Sequence, residues 1–398
     1  MSKRRRDLNE KDDHEENINV TKEPVAVKLV FKRKKTKVDF LDLEIKTLDD
    51  LIGLANKFDI NSEYSFNLEK LHSLLPSLMK LKNIIGMTTV KDSIVGQIIF
   101  FLNDFENDNM DMMHTVIQGP PGVGKTLLGK IIGELYYYLG IIKPKSKHSK
   151  KKAVTIDELD DELEEYMNVM KNLRGRGRSN SEGDNKEPFI FKIVKRSDLI
   201  AGYLGQSALK TQKLLDEVEG GVLFIDEAYS LGNEDGKDSF SKEVIDTLNQ
   251  NLSEKKDSLL CIIAGYKDSL DKCFFAQNEG LRRRFPFVYT IEKYTADELC
   301  QIFKKMVTDL QWNADHVPLK FFEDNYSLFT NMGGDIETLF FMTKIEHGKR
   351  VLFKPEDKKK INIQDLENAF KIFKLNKESK KSKLDLMEED DSWKSLYT

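Results

Sequence analysis

The chain has 398 residues and a formal net charge of only -4, so it is long enough for two or three packed units and does not bind polyanions by bulk electrostatics. Its three cysteines form no C-x-x-C pair, which argues against a zinc site and indicates reduced thiols in an intracellular protein. We expect no signal peptide, and the most apolar run, Ile94–Leu102, is interrupted by Gly96 and Gln97 and is too short to span a bilayer. A membrane partner is therefore not expected.

The N-terminal part divides in two by composition. Residues 1–45 are dense in charge and lack core-forming periodicity, which predicts a disordered basic and charged tail. Its basic clusters, Lys3–Arg6 and Lys32–Lys35, are compatible with nuclear import or a phosphate-binding arm, and equally with a solvated tail. Residues 46–81 have apolar residues at helical spacing, which predicts a small helical segment.

Residues 82–291 alternate short apolar runs with amphipathic segments, a pattern that predicts an α/β core with a parallel sheet. Residues 143–187 interrupt it with low-complexity ends, which predicts a flexible surface insertion. Its R-G-R-G-R run, Arg174–Arg178, fits either a basic linker or contact with nucleic acid. The predicted strands are His114–Gln118, Phe189–Val194, Val222–Ile225, Leu259–Ala264 and Phe287–Ile291. The helix after the first strand is predicted to bury one face made of Leu127, Leu128, Ile131, Ile132 and Leu135.

Residues 292–375 have helical periodicity throughout and are predicted to form a helical lid. Thr295 and Glu298 are spaced as a capping box at the start of its first helix. Further helices are predicted over 319–330, 335–351 and 363–373. Residues 376–398 form a charged tail that we expect to be disordered.

Gly119–Thr126 reads G-P-P-G-V-G-K-T between a predicted strand and a predicted helix, the required context of a phosphate-binding loop. Backbone N–H groups and the helix N-terminus bind phosphate oxygens there. Lys125 would reach the β- and γ-phosphates, and Thr126 would offer a hydroxyl to Mg²⁺. The residues predicted to contact ATP are Gly119, Pro120, Pro121, Gly122, Val123, Gly124, Lys125, Thr126 and Leu127.

Val222–Tyr229 reads V-L-F-I-D-E-A-Y, an apolar strand that ends in two carboxylates. Acidic residues commonly cap strands, but together with the phosphate-binding loop they predict a Walker B motif. Asp226 would hold Mg²⁺ through water. Glu227 would orient and deprotonate the attacking water, because in-line phosphoryl transfer needs a placed nucleophile.

Leu281–Pro286 reads L-R-R-R-F-P between the fourth and fifth predicted strands. Three adjacent arginines are commonly a solvated cluster. Their position after both nucleotide motifs instead favours an arginine finger that enters the site of a neighbouring subunit. Arg284 is the first candidate for this role and Arg282 the second.

The stretch I-A-G-Y-L-G-Q-S, Ile200–Ser207, holds Tyr203 and Leu204 between two glycines. An aromatic side chain in such a turn either packs into the protomer or is covered by a partner. The pattern alone leaves both alternatives open.

Taken in order, these motifs resemble an AAA+ ATPase, and more narrowly the CbbX/CfxQ and SpoVK-type branch and similar proteins of large DNA viruses. The resemblance spans about residues 82–373. Four further sequence motifs carry the resemblance: I-I-G-M (84–87), D-L-I-A-G-Y-L-G-Q-S-A-L-K-T (198–211), I-I-A-G-Y-K-D (262–268) and N-E-G-L-R-R-R-F-P (278–286).

The resemblance implies a five-stranded sheet in the order 5-1-4-3-2, a helical lid, and a homo-oligomer, a hexameric ring with ATP between subunits. It implies that Ile85 and Gly86 lie beside the adenine and that Tyr203 and Leu204 line a central pore and grip a polypeptide. Tyr266 occupies the place of a sensor asparagine and is either a sensor or structural. Ile336 occupies the place of a lid arginine, and Lys344, Lys349 and Arg350 are candidates to substitute for it.

Three functions therefore compete. The first is a Mg²⁺-dependent ATPase that remodels or threads another protein. The second is a nucleic-acid motor or loader, suggested by the basic tail and the R-G-R-G-R run. The third is a nucleotide-switched scaffold, against which Glu227 argues because a pure switch has little use for a water-activating carboxylate.

Overall fold

The structure is a computed structural model that describes residues 36–38, 44–103, 112–143, 189–203, 205–232, 238–314, 317–354 and 357–394. The two N-terminal basic clusters, the R-G-R-G-R run and nearly all of the predicted insertion lie outside these residues. The predicted domain boundaries stay predictions. In the described ranges, no helix is long and apolar enough to cross a membrane.

The described strands form two parallel sheets, one of two strands and one of five. The strands are β1 (Thr36–Val38), β2 (Ser62–Tyr64), β3 (Thr115–Gln118), β4 (Phe191–Val194), β5 (Gly221–Ile225), β6 (Leu259–Gly265) and β7 (Phe287–Thr290). In the larger sheet the order is β4-β5-β6-β3-β7, and all neighbours are parallel. This confirms the predicted order 5-1-4-3-2.

The described helices lie before, between and after these strands. They are α1 (Leu48–Ala55), α2 (Leu68–Ser73), α3 (Leu75–Asn83), α4 (Thr88–Leu102), α5 (Lys125–Tyr138), α6 (Arg196–Leu199), α7 (Gln206–Glu217), α8 (Ser239–Glu254), α9 (Lys267–Ser269), α10 (Ala296–Asp309), α11 (Leu319–Asp324), α12 (Met332–Val351) and α13 (Ile363–Lys394).

Alternate residues of the sheet enter two separate cores, because successive side chains of a strand point to opposite faces. Val222 and Phe224 pack on one face with α1–α5 and α10–α13, whereas Leu223 and Ile225 pack on the other with α7 and α8. Strands buried on both faces read as continuous apolar runs, as β5 and β6 do.

A buried ion pair fastens the N-terminal helices to the helix that follows the phosphate-binding loop. The Lys80 ammonium of α3 lies 3.0 Å from the Glu134 carboxylate of α5, and the Ser77 hydroxyl donates to the same group. Glu134 is only 5% exposed. Removing the Lys80 ammonium or the Ser77 hydroxyl would therefore leave the buried Glu134 carboxylate with fewer stabilising partners. The N-terminal helices thus help to hold α5 in place.

Three expectations about helices need correction. Leu127 is 55% exposed and does not join the buried face of α5, because at helical spacing it lies at the edge of the apolar stripe, whereas Leu128 in the same turn is fully buried. The helix predicted over 319–330 ends at Asp324 and is followed by a separate turn, Tyr326–Leu328. Helix α13 continues past Phe373 to Lys394, because the charged segment contains neither proline nor glycine to stop it.

We expect Gly129→Ala to destabilise the fold by about 1–3 kcal/mol through overpacking. A Cβ atom at Gly129 would overlap the ring of Phe224, whose Cδ2 would be 2.7 Å away, and Phe224 is fully buried. Gly348→Ala is the matched control, because that helical glycine is exposed and has no atom within 4 Å of the added Cβ. It should stabilise by up to about 1 kcal/mol. Urea unfolding measures both, and equal effects would contradict this packing.

Candidate nucleotide-binding and hydrolysis site

The phosphate-binding loop joins the end of β3 to the start of α5. Gly122 and Gly124 have φ angles of +71° and +83°, a region that side chains with a Cβ rarely adopt. The N–H of Gly119 donates to the carbonyl of Gly265 at 3.2 Å, which ties the loop to the end of β6. Glycines therefore allow the turn that places the loop at the N-terminus of α5, where anions are favoured.

A cleft of about 260 Å³ opens at the carboxyl edge of the large sheet. Side chains from the ends of β5 and β6 face the phosphate-binding loop across it. Its lining residues are Pro121, Gly122, Gly124, Lys125, Thr126, Asp226, Glu227, Tyr229, Gly265 and Tyr266. The cleft thus brings together five of the predicted loop residues, both Walker B carboxylates and Tyr266. Val123, which was also predicted to contact ATP, is instead fully buried in the core.

Lys125 is the one cationic side chain among the described residues that line this cleft. Its ammonium donates to the carbonyls of Gly119 at 3.0 Å and Pro120 at 2.7 Å. Burial lowers the pKa of Lys125, and the charges of Asp226 and Glu227 oppose that shift. The two carboxylates therefore help to keep a half-buried ammonium charged.

Asp226 and Glu227 follow β5 directly and point into the same cleft. The N–H of Asp226 donates to the carbonyl of Val194 at 3.0 Å, so the end of β5 is fixed against β4. Glu227 has φ +52°, a left-handed conformation that is strained for a residue with a Cβ. Such strain occurs where a neighbouring structure over-determines the backbone and aims a side chain.

Two tyrosines form a stacked pair beside these carboxylates. The rings of Tyr229 and Tyr266 are 5.4 Å apart and inclined by 28°, and the Lys125 ammonium lies 5.2 Å from the centre of the Tyr266 ring. Burial, with smaller contributions from Glu227 and Tyr266, raises the pKa of Tyr229 to about 12. Tyr229 therefore remains a hydrogen-bond donor near Glu227 at neutral pH.

Ile85 and Gly86 do not line the cleft, but Gly86 lies beside Tyr294, which contacts the loop. A Cβ on Gly86 would lie 3.4 Å from the Tyr294 ring, and the Tyr294 hydroxyl donates to the carbonyl of Val123 at 2.9 Å. Burial raises the pKa of Tyr294 to about 12, with Glu298 contributing, so this hydroxyl stays protonated. The predicted base-binding segment, the loop and the start of α10 are thereby linked.

The start of α12 also contacts the loop, without an arginine. The N–H of Gly333 donates to the carbonyl of Gly122 at 2.9 Å, and a Cβ on Gly122 would overlap the carbonyl oxygen of Asn331. Ile336 is fully buried in the core. The proposed substitutes point elsewhere: Lys344 lies over the rings of Phe340 and Phe341, Lys349 pairs with Glu346, and Arg350 pairs with Asp365.

The arginine run lies outside the cleft lining. Arg282 pairs with Asp271, and its guanidinium lies 4.3 Å from the centre of the Phe275 ring. Arg284 donates to Ser253 Oγ at 2.8 Å and to the carbonyl of Gly280 at 2.6 Å. Arg283 lies between them and is exposed. It was not among the sequence candidates and becomes a third one.

Tyr203 is 74% exposed, so it does not pack into the core of this protomer. It precedes Gly205, whose φ of +81° lets the chain turn into α7. Leu204, its predicted partner, lies outside the described residues. The exposed ring meets one requirement of a surface that another molecule covers.

The donor set of the cleft fits a magnesium nucleotide. Mg²⁺ prefers oxygen ligands, and the Thr126 hydroxyl and the Asp226 carboxylate line the same cleft. The loop amides and Lys125 supply donors for phosphate oxygens. Sequence reasoning missed Tyr229 and Tyr294 as parts of this site. Tyr229 is only two residues after Glu227, and this proximity was a signal that could have found it. Tyr294 is brought to the loop only by the fold.

A five-stranded parallel sheet with a phosphate-binding loop and an acidic strand end defines a P-loop nucleotide hydrolase. Residues 115–289 match the family model "ATPase family associated with various cellular activities (AAA)". The chain belongs to this family and is an ATPase that binds nucleotide. Proteins of the family generally oligomerise.

Three relatives show which members of the family this chain is similar to. A cfxQ-like protein of Acanthamoeba polyphaga mimivirus is 40% identical over 350 residues, covering 85% of this chain and 75% of that protein. Stage V sporulation protein K of Bacillus subtilis is 29% identical, covering 64% and 68%. The ESX-1 secretion system protein EccA1 of Mycobacterium tuberculosis is 30% identical, covering 65% and 39%, so this chain spans less than half of it. The resemblance to the CfxQ and SpoVK branch is confirmed.

We expect Tyr294→Phe to destabilise the protein by about 1–3 kcal/mol, because the variant leaves the Val123 carbonyl without its donor. Nucleotide should also bind more weakly, since that carbonyl belongs to the loop. Tyr138→Phe is the control, because Tyr138 lies on α5 and is 37% exposed. Thermal unfolding with and without nucleotide measures both effects. Identical behaviour of the two variants would show that the hydroxyl contact does not hold the loop.

Proposed function

We propose that this ATPase is Mg²⁺-dependent, forms a ring, and uses ATP hydrolysis to thread or remodel another polypeptide past Tyr203. The observation that carries the proposal is the combination of a hydrolytic cleft with a highly exposed tyrosine on the loop after β4. A pure nucleotide switch would have little use for Glu227 in that cleft.

Within the cleft, each side chain has a chemical task. Bound Mg²⁺ would neutralise phosphate charge, held by the Thr126 hydroxyl and by Asp226 through water. Lys125 and the loop amides would bind the phosphates. Glu227 would orient the attacking water and accept its proton. Tyr266, under the Lys125 ammonium, would keep that cation directed into the cleft.

The ring is proposed because the cleft is short of positive charge. Phosphoryl transfer is accelerated strongly by an arginine that stabilises charge in the transition state. Lys125 alone carries positive charge among the described lining residues, and Arg282, Arg283 and Arg284 lie elsewhere in the protomer. An arginine of this run from a neighbouring subunit would complete the site, with Arg284 the first candidate, Arg282 the second, and Arg283 now added.

The polypeptide substrate is proposed from the surface around Tyr203. An exposed aromatic ring grips an extended chain by apolar contact that does not depend on its sequence. Leu204 is proposed to share this role. None of the described residues favours nucleic acid over polypeptide, and the runs that suggested nucleic acid lie outside the described ranges.

Replacing Glu227 tests the hydrolytic assignment. We expect Glu227→Gln to lower ATP turnover by about 10²–10⁴-fold, because the amide cannot accept the proton of the attacking water. ATP should still bind and raise the melting temperature, since Glu227 is not needed to hold the phosphates. The exposed Glu323→Gln is the matched control. Turnover near the wild-type rate in Glu227→Gln would assign the base to another group.

Replacing Tyr203 tests the substrate class. We expect casein, an unfolded probe polypeptide, to raise ATP turnover of the wild type. Tyr203→Ala should lose this stimulation and Tyr203→Phe should keep it, because the ring supplies the contact area. The readout is the ratio of turnover with and without casein. Stimulation that survives in Tyr203→Ala, or that single-stranded DNA produces instead with steep salt dependence, would contradict a polypeptide substrate at Tyr203.

A further inference from the structure

Arg196 begins the short helix α6, which leads directly into the loop that carries Tyr203. Its side chain is 37% exposed, and the guanidinium reaches away from that loop toward the segment after Glu227. One nitrogen donates to the carbonyl of Ser230 at 2.6 Å and to Ser241 Oγ at 2.7 Å. The other donates to Asp238 Oδ2 at 2.5 Å. One side chain thus holds three partners on two elements.

Asp238 is well suited to receive this guanidinium. Its other carboxylate oxygen caps α8 by accepting from the N–H groups of Phe240 at 3.1 Å and Ser241 at 3.3 Å. Hydrogen bonds from Arg196 and Ser241 lower the pKa of Asp238 to about 2, so the carboxylate is charged at neutral pH. Charge-assisted bonds of this kind are stronger than neutral ones.

The far end of the Tyr203 loop is fastened to the same helix. The N–H of Gly205 donates to Glu243 Oε1 at 2.7 Å, and Glu243 lies in the second turn of α8. Both ends of the loop are therefore anchored on the first two turns of α8, while Tyr203 between them is exposed. A shift of α8 relative to β4 would move or loosen the loop.

One short turn connects Arg196 to Glu227, the residue proposed to activate the attacking water. Residues Ala228–Leu231 form a single turn after Glu227, and the N–H of Ser230 donates to the Glu227 carbonyl at 2.8 Å. Arg196 holds the carbonyl of the same Ser230. Two hydrogen bonds therefore separate the backbone of the strained Glu227 from the helix that leads to Tyr203.

We propose that Arg196 is a positioning residue that couples the conformation of the Glu227 turn to the Tyr203 loop, so that the bound nucleotide changes the loop. This proposal rests on the proposed function in assigning Tyr203 to substrate, but the coupling itself does not need a substrate to be measured. Arginine suits the role because its planar fork donates in several fixed directions, whereas a lysine ammonium is a point charge.

The test is hydrogen exchange of backbone amides in peptides that cover residues 200–206, measured on the full chain with ADP and with the slowly hydrolysed analogue ATPγS. We expect the wild type to exchange at rates that differ between the two nucleotides by about fivefold or more, the lower range of allosteric coupling. Arg196→Met should abolish most of that difference. Arg196→Lys should retain part of it, because lysine can still pair with Asp238.

Two further variants separate coupling from folding. Asp238→Asn should weaken the coupling while keeping the helix cap, because asparagine is an equally good N-cap residue. Lys192→Met is the matched control: it removes an exposed ion pair between β4 and Glu217 of α7 and should leave the coupling intact. Affinity for a fluorescent nucleotide is measured for every variant, so that a changed response is not confused with lost binding.

The outcomes are distinct. A wild type whose loop exchanges equally in both nucleotides would overturn the proposal, as would Arg196→Met that keeps the wild-type difference. If Arg196→Met raised the exchange rate of the loop by the same factor with ADP and with ATPγS, relative to the wild type, the proposal would also be overturned, because that pattern marks a merely structural arginine. If the coupling depends on Arg196 while Tyr203→Ala still responds to casein, the coupling stands and the polypeptide-threading function fails.

Discussion

The carboxyl ends of β3, β5 and β6 lie side by side because all five strands of the large sheet run parallel. This constraint places the phosphate-binding loop, the Asp226–Glu227 pair and Tyr266 around one cleft, although they are far apart in the sequence. Fully buried strands leave no freedom to slip in register, since a one-residue shift would exchange the two faces of the sheet. The chemistry of the site therefore depends on the two cores that cover the sheet.

The same arrangement joins the cleft to the rest of the chain. The C-terminal helices reach the loop through Tyr294 and Gly333, which hold the carbonyls of Val123 and Gly122. These contacts are made by a hydroxyl and a backbone N–H group, whereas Ile336, at the place where the resemblance implies an arginine, is buried in the core. On the other side of the cleft, the Arg196 side chain links the turn after Glu227 to the helix that leads to Tyr203. The described lining residues of the cleft carry two carboxylates but only one ammonium, so negative charge exceeds positive charge there.

Much of the core could be predicted from the sequence, because strands buried on both faces read as uninterrupted apolar runs and the loop has a specific pattern. The strand order came from family resemblance, since no local pattern encodes which strands are neighbours. The tyrosine contacts could not be predicted: Tyr294 and Val123 are 171 residues apart, and only folding brings them together. The length of α13 was underestimated because charge density was interpreted as disorder, although charged residues without glycine or proline also form helices.

The proposal that a neighbouring subunit completes the site rests on this charge balance, and the dependence of ATP turnover on protein concentration tests it most directly. If the proposal is right, turnover per protomer should rise with concentration and reach a plateau as subunits assemble, because each cleft would then receive an arginine from the Arg282–Arg284 run of its neighbour. A rate per protomer that is substantial and constant over the whole range, down to concentrations at which the protein is monomeric, would show that one chain holds a complete site and would contradict this account.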